Sequence, residues 1–251
     1  MTISQPALRL RLGLGLALMA ALVAGPVAAQ SPSAAPASAP GERLDIVVTT
    51  TILGAVVEDL VGDRAEVHVL MQAGTDPHEW QPSAQDIEAV YAADLVVENG
   101  LGLEESLAST LDEAQANGVL VFAATDVIEL RMVGPDDPAA DDGPADPHFW
   151  TDPVAMRVVV DALAPMLSDL GLDVSDRQAD LGLRLDALDH EVEAVIDTIP
   201  AERRKLVTGH ESMGYFADEY GLELVGAVLP SLSSQGEVSA QELAAISQKI
   251  R

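Results

Sequence analysis

The sequence predicts an α/β protein of two lobes, each with a mostly parallel sheet wrapped by helices, joined by one long bridging helix. Three observations predict it. Short strand-like runs alternate with stretches of helical spacing from Leu44 to Ala123, the pattern of parallel strands linked by crossover helices. An apolar stripe recurs at three- and four-residue intervals from Ser175 to Ile199. A helix over these residues runs about 36 Å, long enough to connect two lobes rather than pack within one. Beyond Pro200 the strand–helix alternation restarts.

The N-terminal lobe is expected over residues 43–174. Leu44–Thr50 reads as a buried first strand and Ile52–Val61 as a helix stopped by Gly62. Glu66–Leu70 alternates like a strand, with His68 between valines read as a structural histidine. Ser83 is placed to cap a helix through Tyr91, with Asp86 three residues on. A strand over Asp94–Val97, a helix over Leu103–Ala116 and a strand over Gly118–Ala123 follow. Residues 134–146 are acidic and rich in Gly and Pro, a solvated loop whose alternative reading is weak cation collection. Helix resumes over Pro153–Leu170. The bridging helix, 175–199, starts at Ser175 with Gln178 in capping-box spacing and carries Leu181, Leu185, Leu188, Val192, Val195 and Ile199 on one face. His190 falls off that face and is expected to be exposed. In the C-terminal lobe, 200–251, Lys205–Thr208 and Leu222–Val228 read as strands, Ser212–Tyr220 and Ser239–Ile250 as helices. Two strands make a poor sheet, so this lobe is expected to be incomplete.

The N-terminus carries an address. Arg9 and Arg11 precede an unbroken apolar run from Leu12 to Ala24, then Pro26-Val27-Ala28-Ala29 offers small residues for cleavage near Ala29. This is the layout of a secretory signal peptide, 1–29. The run is short of the roughly 20 residues a membrane span needs. Residues 30–42 form a Ser/Pro/Ala-rich leader expected to be disordered. The chain has no cysteine, which excludes disulfides, thiolate sites and a lipid-anchoring lipobox. The mature protein is expected to be periplasmic or secreted, monomeric and not inserted in a membrane. The full chain's formal charge of −28 excludes nucleic acid, because no basic stripe exists to neutralise phosphates. An acidic shell suits a cation receptor, but also mere solubility.

Chemistry concentrates in three of the five histidines: His78 in Asp76-Pro77-His78-Glu79-Trp80, His148 in Asp146-Pro147-His148-Phe149-Trp150, and His210 in Thr208-Gly209-His210-Glu211. The only two tryptophans follow the repeated Asp-Pro-His tripeptide. Proline fixes the backbone ahead of each imidazole, and the aspartate can bond nearby backbone groups. A ring nitrogen presented in a fixed direction is what a metal ligand requires. Any one of these histidines alone reads as an ordinary surface or core residue; a duplicated, stiffened tripeptide argues for a metal site.

Four segments together resemble the solute-binding receptors of zinc and manganese ABC importers, the cluster A-I metal receptors of zinc-uptake type. They are Gly74-Thr75-Asp76-Pro77-His78-Glu79-Trp80-Gln81-Pro82, Asp94-Leu95-Val96-Val97-Glu98-Asn99-Gly100, Asp146-Pro147-His148-Phe149-Trp150-Thr151-Asp152-Pro153, and Thr208-Gly209-His210-Glu211-Ser212-Met213-Gly214-Tyr215-Phe216 with Tyr220-Gly221-Leu222. The resemblance covers Leu44 to Arg251. It implies a divalent metal carried between two lobes and passed to the membrane permease of an ABC importer, with His78 and His148 from the first lobe and His210 from the second as ligands. Relatives add a carboxylate late in the second lobe, and that position is expected to fall beyond Arg251.

Three imidazoles suit zinc (Zn2+); manganese (Mn2+), the alternative, prefers more carboxylate. In manganese-type relatives the third ligand is often glutamate, where this chain has His210. Glu211 is one residue out of register and is expected to point elsewhere. Asp76 and Glu79 are candidates to orient imidazoles or, alternatively, to cap turns; Trp80 and Trp150 are candidate cleft walls or core residues. A zinc hydrolase is the rival class. His78-Glu79 and His210-Glu211 both begin like His-Glu-x-x-His, but Pro82 and Gly214 occupy the closing positions, and the Glu211-Ser212-Met213-Gly214 stretch lacks the leading glycine of a nucleophile elbow. No enzyme is expected; a surface adhesin is a third reading.

Overall fold

The computed structural model describes residues 43–133, 143–236 and 238–249. The expected signal peptide and leader, and residues 134–142 of the acidic loop, lie outside them.

The first sheet is four-stranded and wholly parallel, in the order β2-β1-β3-β4. Its strands are β1 (Leu44–Val48), β2 (Ala65–Val69), β3 (Leu95–Glu98) and β4 (Leu120–Ala123). Both faces are covered, which explains the continuous apolar runs of the central strands. Ile46 and Val48 face one core with Val57 and Leu60 of α1 (Thr51–Val61) and Val160, Leu163 and Leu167 of α4 (Pro153–Asp169). Val47 and Val96 face the other, with Val90 of α2 (Ala84–Ala92) and Leu111 and Ala114 of α3 (Ala108–Ala116). Each such valine, leucine or isoleucine side chain taken fully from water contributes about 1.5–3 kcal/mol, so the two-sided core is what holds the strands in place.

Local signals place the helices. Thr50 accepts from the Leu53 N–H, and Gly62 ends α1 at φ 59°, a left-handed value natural to glycine. Ser83 and Asp86 form the expected capping box on α2. Asp152 caps α4 by accepting from the Val154 N–H, with Pro153 in its first turn.

Four expectations need correction. Residues 103–107 are turns, and α3 begins only at Ala108. Leu101 sits at φ 54°, and Glu104 turns inward to accept from Thr49 Oγ1 at 2.6 Å and from the Asn99 N–H at 2.8 Å. The bridging helix α5 runs Ser175–Ile196 rather than to Ile199; the Thr198 hydroxyl bonds back to the Val195 carbonyl as the chain unwinds toward Pro200. Ser175 is its first helical residue and not its cap; Asp173 instead accepts from the Ser175 N–H and hydroxyl. His68 is exposed rather than packed, because β2 is an edge strand.

The second sheet pairs β5 (Lys205–His210) with β6 (Glu223–Leu229) in parallel. The short α6 (Gly214–Glu219) crosses between them, and α7 (Ala240–Lys249) follows. Bonds from both lobes grip α5: Arg157 of α4 donates to Asp186 at 3.0 Å, and the Tyr220 hydroxyl, just after α6, donates to Asp189 at 3.0 Å. Among the described residues, no helix is long and apolar enough to cross a membrane.

Candidate metal centre

All three sequence-predicted histidines arrive at one point. His78 lies in the loop after β2, His148 in the long connection after β4, and His210 is the last residue of β5. These are the carboxyl ends of parallel strands, where α/β folds leave ligand-binding crevices. The two Asp-Pro-His tripeptides fold alike. Asp76 Oδ1 accepts the His78 N–H at 3.0 Å, and Asp146 Oδ1 accepts the His148 N–H at 2.9 Å, each an Asx turn stiffened by the intervening proline.

His78 Nε2 and His210 Nε2 each lie 3.3 Å from His148 Nε2. Each residue offers one ligand atom within 4.8 Å of the others, and this is the one such group of histidine and carboxylate side chains among the described residues. The spacing has a chemical meaning. A tetrahedral ion about 2.0–2.1 Å from each nitrogen separates them by about 3.3–3.4 Å.

His148 is the buried member, 1% exposed; His78 and His210 are half-buried. Burial and the neighbouring His148 ring hold both outer imidazoles below the usual histidine pKa, so at neutral pH they are neutral donors. Burial pushes the Asp76 carboxyl up. The Ser234 hydroxyl, the His78 N–H and the nearby histidines outweigh it, and the carboxyl titrates lower than usual.

Several residues that build the site escaped sequence reasoning. Asp146 does more than turn the chain: its Oδ1 lies 2.8 Å from His148 Nδ1. Taking that proton bond at Nδ1 leaves the Nε2 lone pair for the ion. Asn99 Nδ2 donates to the Pro147 carbonyl at 3.0 Å, pinning the loop one residue ahead of His148, and Glu104 in turn holds the Asn99 backbone. Gln235 Nε2 donates to the His78 carbonyl from the second lobe. Of the residues weighed for supporting roles, Asp76 caps its turn, while Glu79 is exposed. Trp150 packs edge-on against His148 at 5.2 Å between ring centres. Trp80 packs against the second core cluster. Glu211 lies outside the histidine cluster and lines a small cavity with Arg131, Asp146 and Gly214; burial pushes its carboxyl up.

Residues 46–251 match the model of the family described as the periplasmic zinc-uptake complex component A, ZnuA. The chain belongs to the ZnuA family. Among individual relatives, the manganese-binding lipoprotein MntA of Halalkalibacterium halodurans is 31% identical over 190 residues, 74% of this chain and 61% of that protein. The zinc-binding protein TroA of Treponema pallidum is 30% identical over 208 residues, 80% of this chain and 65% of that protein. The chain thus spans under two thirds of the length of these relatives. The solved structure of periplasmic TroA superposes with a TM-score of 0.71 at 27% identity, covering 83% of this chain and 76% of that one. A ZnuA crystal structure gives 0.66 at 27% identity, covering 81% and 76%. The ZnuA-family fold is therefore the two-lobed α/β fold that the strand–helix alternation predicts.

Proposed function

We propose that this chain is an extracytoplasmic receptor that captures one divalent transition metal between its lobes and delivers it to the permease of an ABC importer. His78, His148 and His210 are the ligands, and zinc is the cargo. The observation that carries this reading is the convergence of the three rings, with His78 Nε2 and His210 Nε2 each 3.3 Å from His148 Nε2 and one ligand atom of each residue within 4.8 Å of the others. Three imidazoles with no carboxylate in the cluster favour zinc over manganese. The names of the relatives support a metal cargo and divide on which one, TroA being a zinc-binding and MntA a manganese-binding protein.

In this reading residues 1–29 direct export and 30–42 form a leader. The 43–174 lobe supplies two ligands, and the lobe after Pro200 supplies the third. The metal is carried and not used, since both His-Glu starts lack the second histidine of His-Glu-x-x-His: the closing positions are Pro82 and Gly214. Calorimetric titration of chelator-treated protein is expected to show one zinc event. His78→Ala, His148→Ala and His210→Ala should each weaken it by at least tenfold, as loss of a direct ligand must exceed the roughly 10–100-fold effect of outer partners. Unchanged binding in all three variants would overturn the assignment.

A further inference from the structure

We propose that Arg131 is a positioning residue that ties His148 of the first lobe to α6 of the second, so that it sets how long the bound ion is held. The inference rests on the receptor reading above and deepens it. Arg131 is 8% exposed, an arginine taken out of water that must find carboxylate partners. On one side its Nη1 lies 3.7 Å from Asp146 Oδ2, and its carbonyl accepts the Asp146 N–H at 2.7 Å. Asp146 is the carboxylate that bonds His148 Nδ1. On the other side Arg131 Nε donates to Asp218 Oδ2 at 2.7 Å, and the Arg131 N–H donates to the Tyr215 hydroxyl at 2.9 Å. Tyr215 and Asp218 are three residues apart and share a face of α6.

Gly214 supplies an independent observation. A Cβ built there would meet Arg131 Nη1 at 2.5 Å and Asp146 Oδ2 at 2.6 Å. The first turn of α6 therefore rests directly on the Arg131–Asp146 pair, and a Cβ at this position would displace the ends of those side chains. His210, at the end of β5, is joined to α6 by only Glu211, Ser212 and Met213. Whatever holds α6 against Asp146 also holds the His210 end of β5 near His148. The fork of guanidinium donors suits arginine to bridging two carboxylates at once, which a lysine ammonium does less well. A bound cation polarises the His148 ring and strengthens its bond to Asp146. The ion's charge thereby reaches the residue that spans the lobes.

The test measures zinc release from the full chain by stopped-flow chelator competition. Asp218→Asn removes the carboxylate charge from the second-lobe end of the tether and leaves Asp146 on His148. Asp218 has a 52% exposed side chain, so this variant is expected to fold. Release should accelerate by about three- to tenfold, the size of a coupling mutation. Arg131→Met should accelerate it at least as much, and the double variant no further than Arg131→Met alone. Wild-type release from Asp218→Asn would overturn the proposal and leave Arg131 as a prop for Asp146 within the first lobe. A metal-free arm keeps the two readings apart. Asp218→Asn is expected to raise amide exchange across the lobes, at residues 146–152, and unchanged exchange there would also overturn the tether. Absence of zinc binding by the wild-type chain would instead sink the receptor reading, with the exchange arm still deciding the tether.

Discussion

Asp76 and Asp146 open the same tripeptide and make the same turn, yet Asp146 also reaches the ring of its own histidine. The repeat was visible in the sequence because proline and aspartate act locally. The difference was not, because it depends on burial: Asp146 is 1% exposed, and Arg131 from a distant segment stands behind it. His68 shows the converse. Valines on both sides imply a packed residue, but only the strand order reveals that β2 is an edge and the ring is exposed. A half-buried acid gives a residue-scale prediction. Burial, with Glu104, Asp126 and Asp112 nearby, pushes the Glu98 carboxyl to about 7. A carboxyl raised on folding binds its proton more tightly in the native state. Its stabilising contribution is complete below the ordinary value of 4.5 and is lost as pH rises to about 7. Thermal unfolding of Glu98→Gln should therefore show a gain in melting temperature over wild type at pH 8 that disappears at pH 4.5. An equal gain at both pH values would show that Glu98 titrates normally.

At the scale of elements, caps and apolar runs gave most boundaries to within a residue or two, since Gly62 and Ser83 act on their own helix. The late start of α3 was hidden because it comes from a contact with Thr49, far back in the chain. The stripe along α5 was legible as a helix face, but its burial was not. Leu181 is buried while Leu188 and Val195 are 46% and 59% exposed, so the stripe is sheltered by α4 and α1 only along its first half. The bonds that hold α5 to both lobes, Arg157–Asp186 on one side and Tyr220–Asp189 on the other, resist the bending that a loop hinge allows. In the proposed receptor, metal release is then expected to be a local rearrangement around the His210 end of β5. Small-angle scattering profiles of metal-free and metal-loaded protein should superimpose. A clear decrease in radius on loading would point to clamshell closure and contradict this.

For the whole molecule, the two lobes differ in how much they bury. The first has a four-stranded sheet with apolar layers on both faces. The described part of the second has two strands, the six-residue α6 between them and the ten-residue α7 after them. Buried apolar area scales with protection against opening, so hydrogen exchange should be fast after Pro200 and slow through β1, β3 and β4. Uniform protection across both would show that the second lobe is as firmly packed as the first. The central proposal is that His78, His148 and His210, drawn from both lobes, share one ion. X-ray absorption at the zinc edge of the loaded protein tests this most directly. The spectrum should require three imidazoles at about 2.0–2.1 Å; a first shell fitted by one imidazole or none would contradict it.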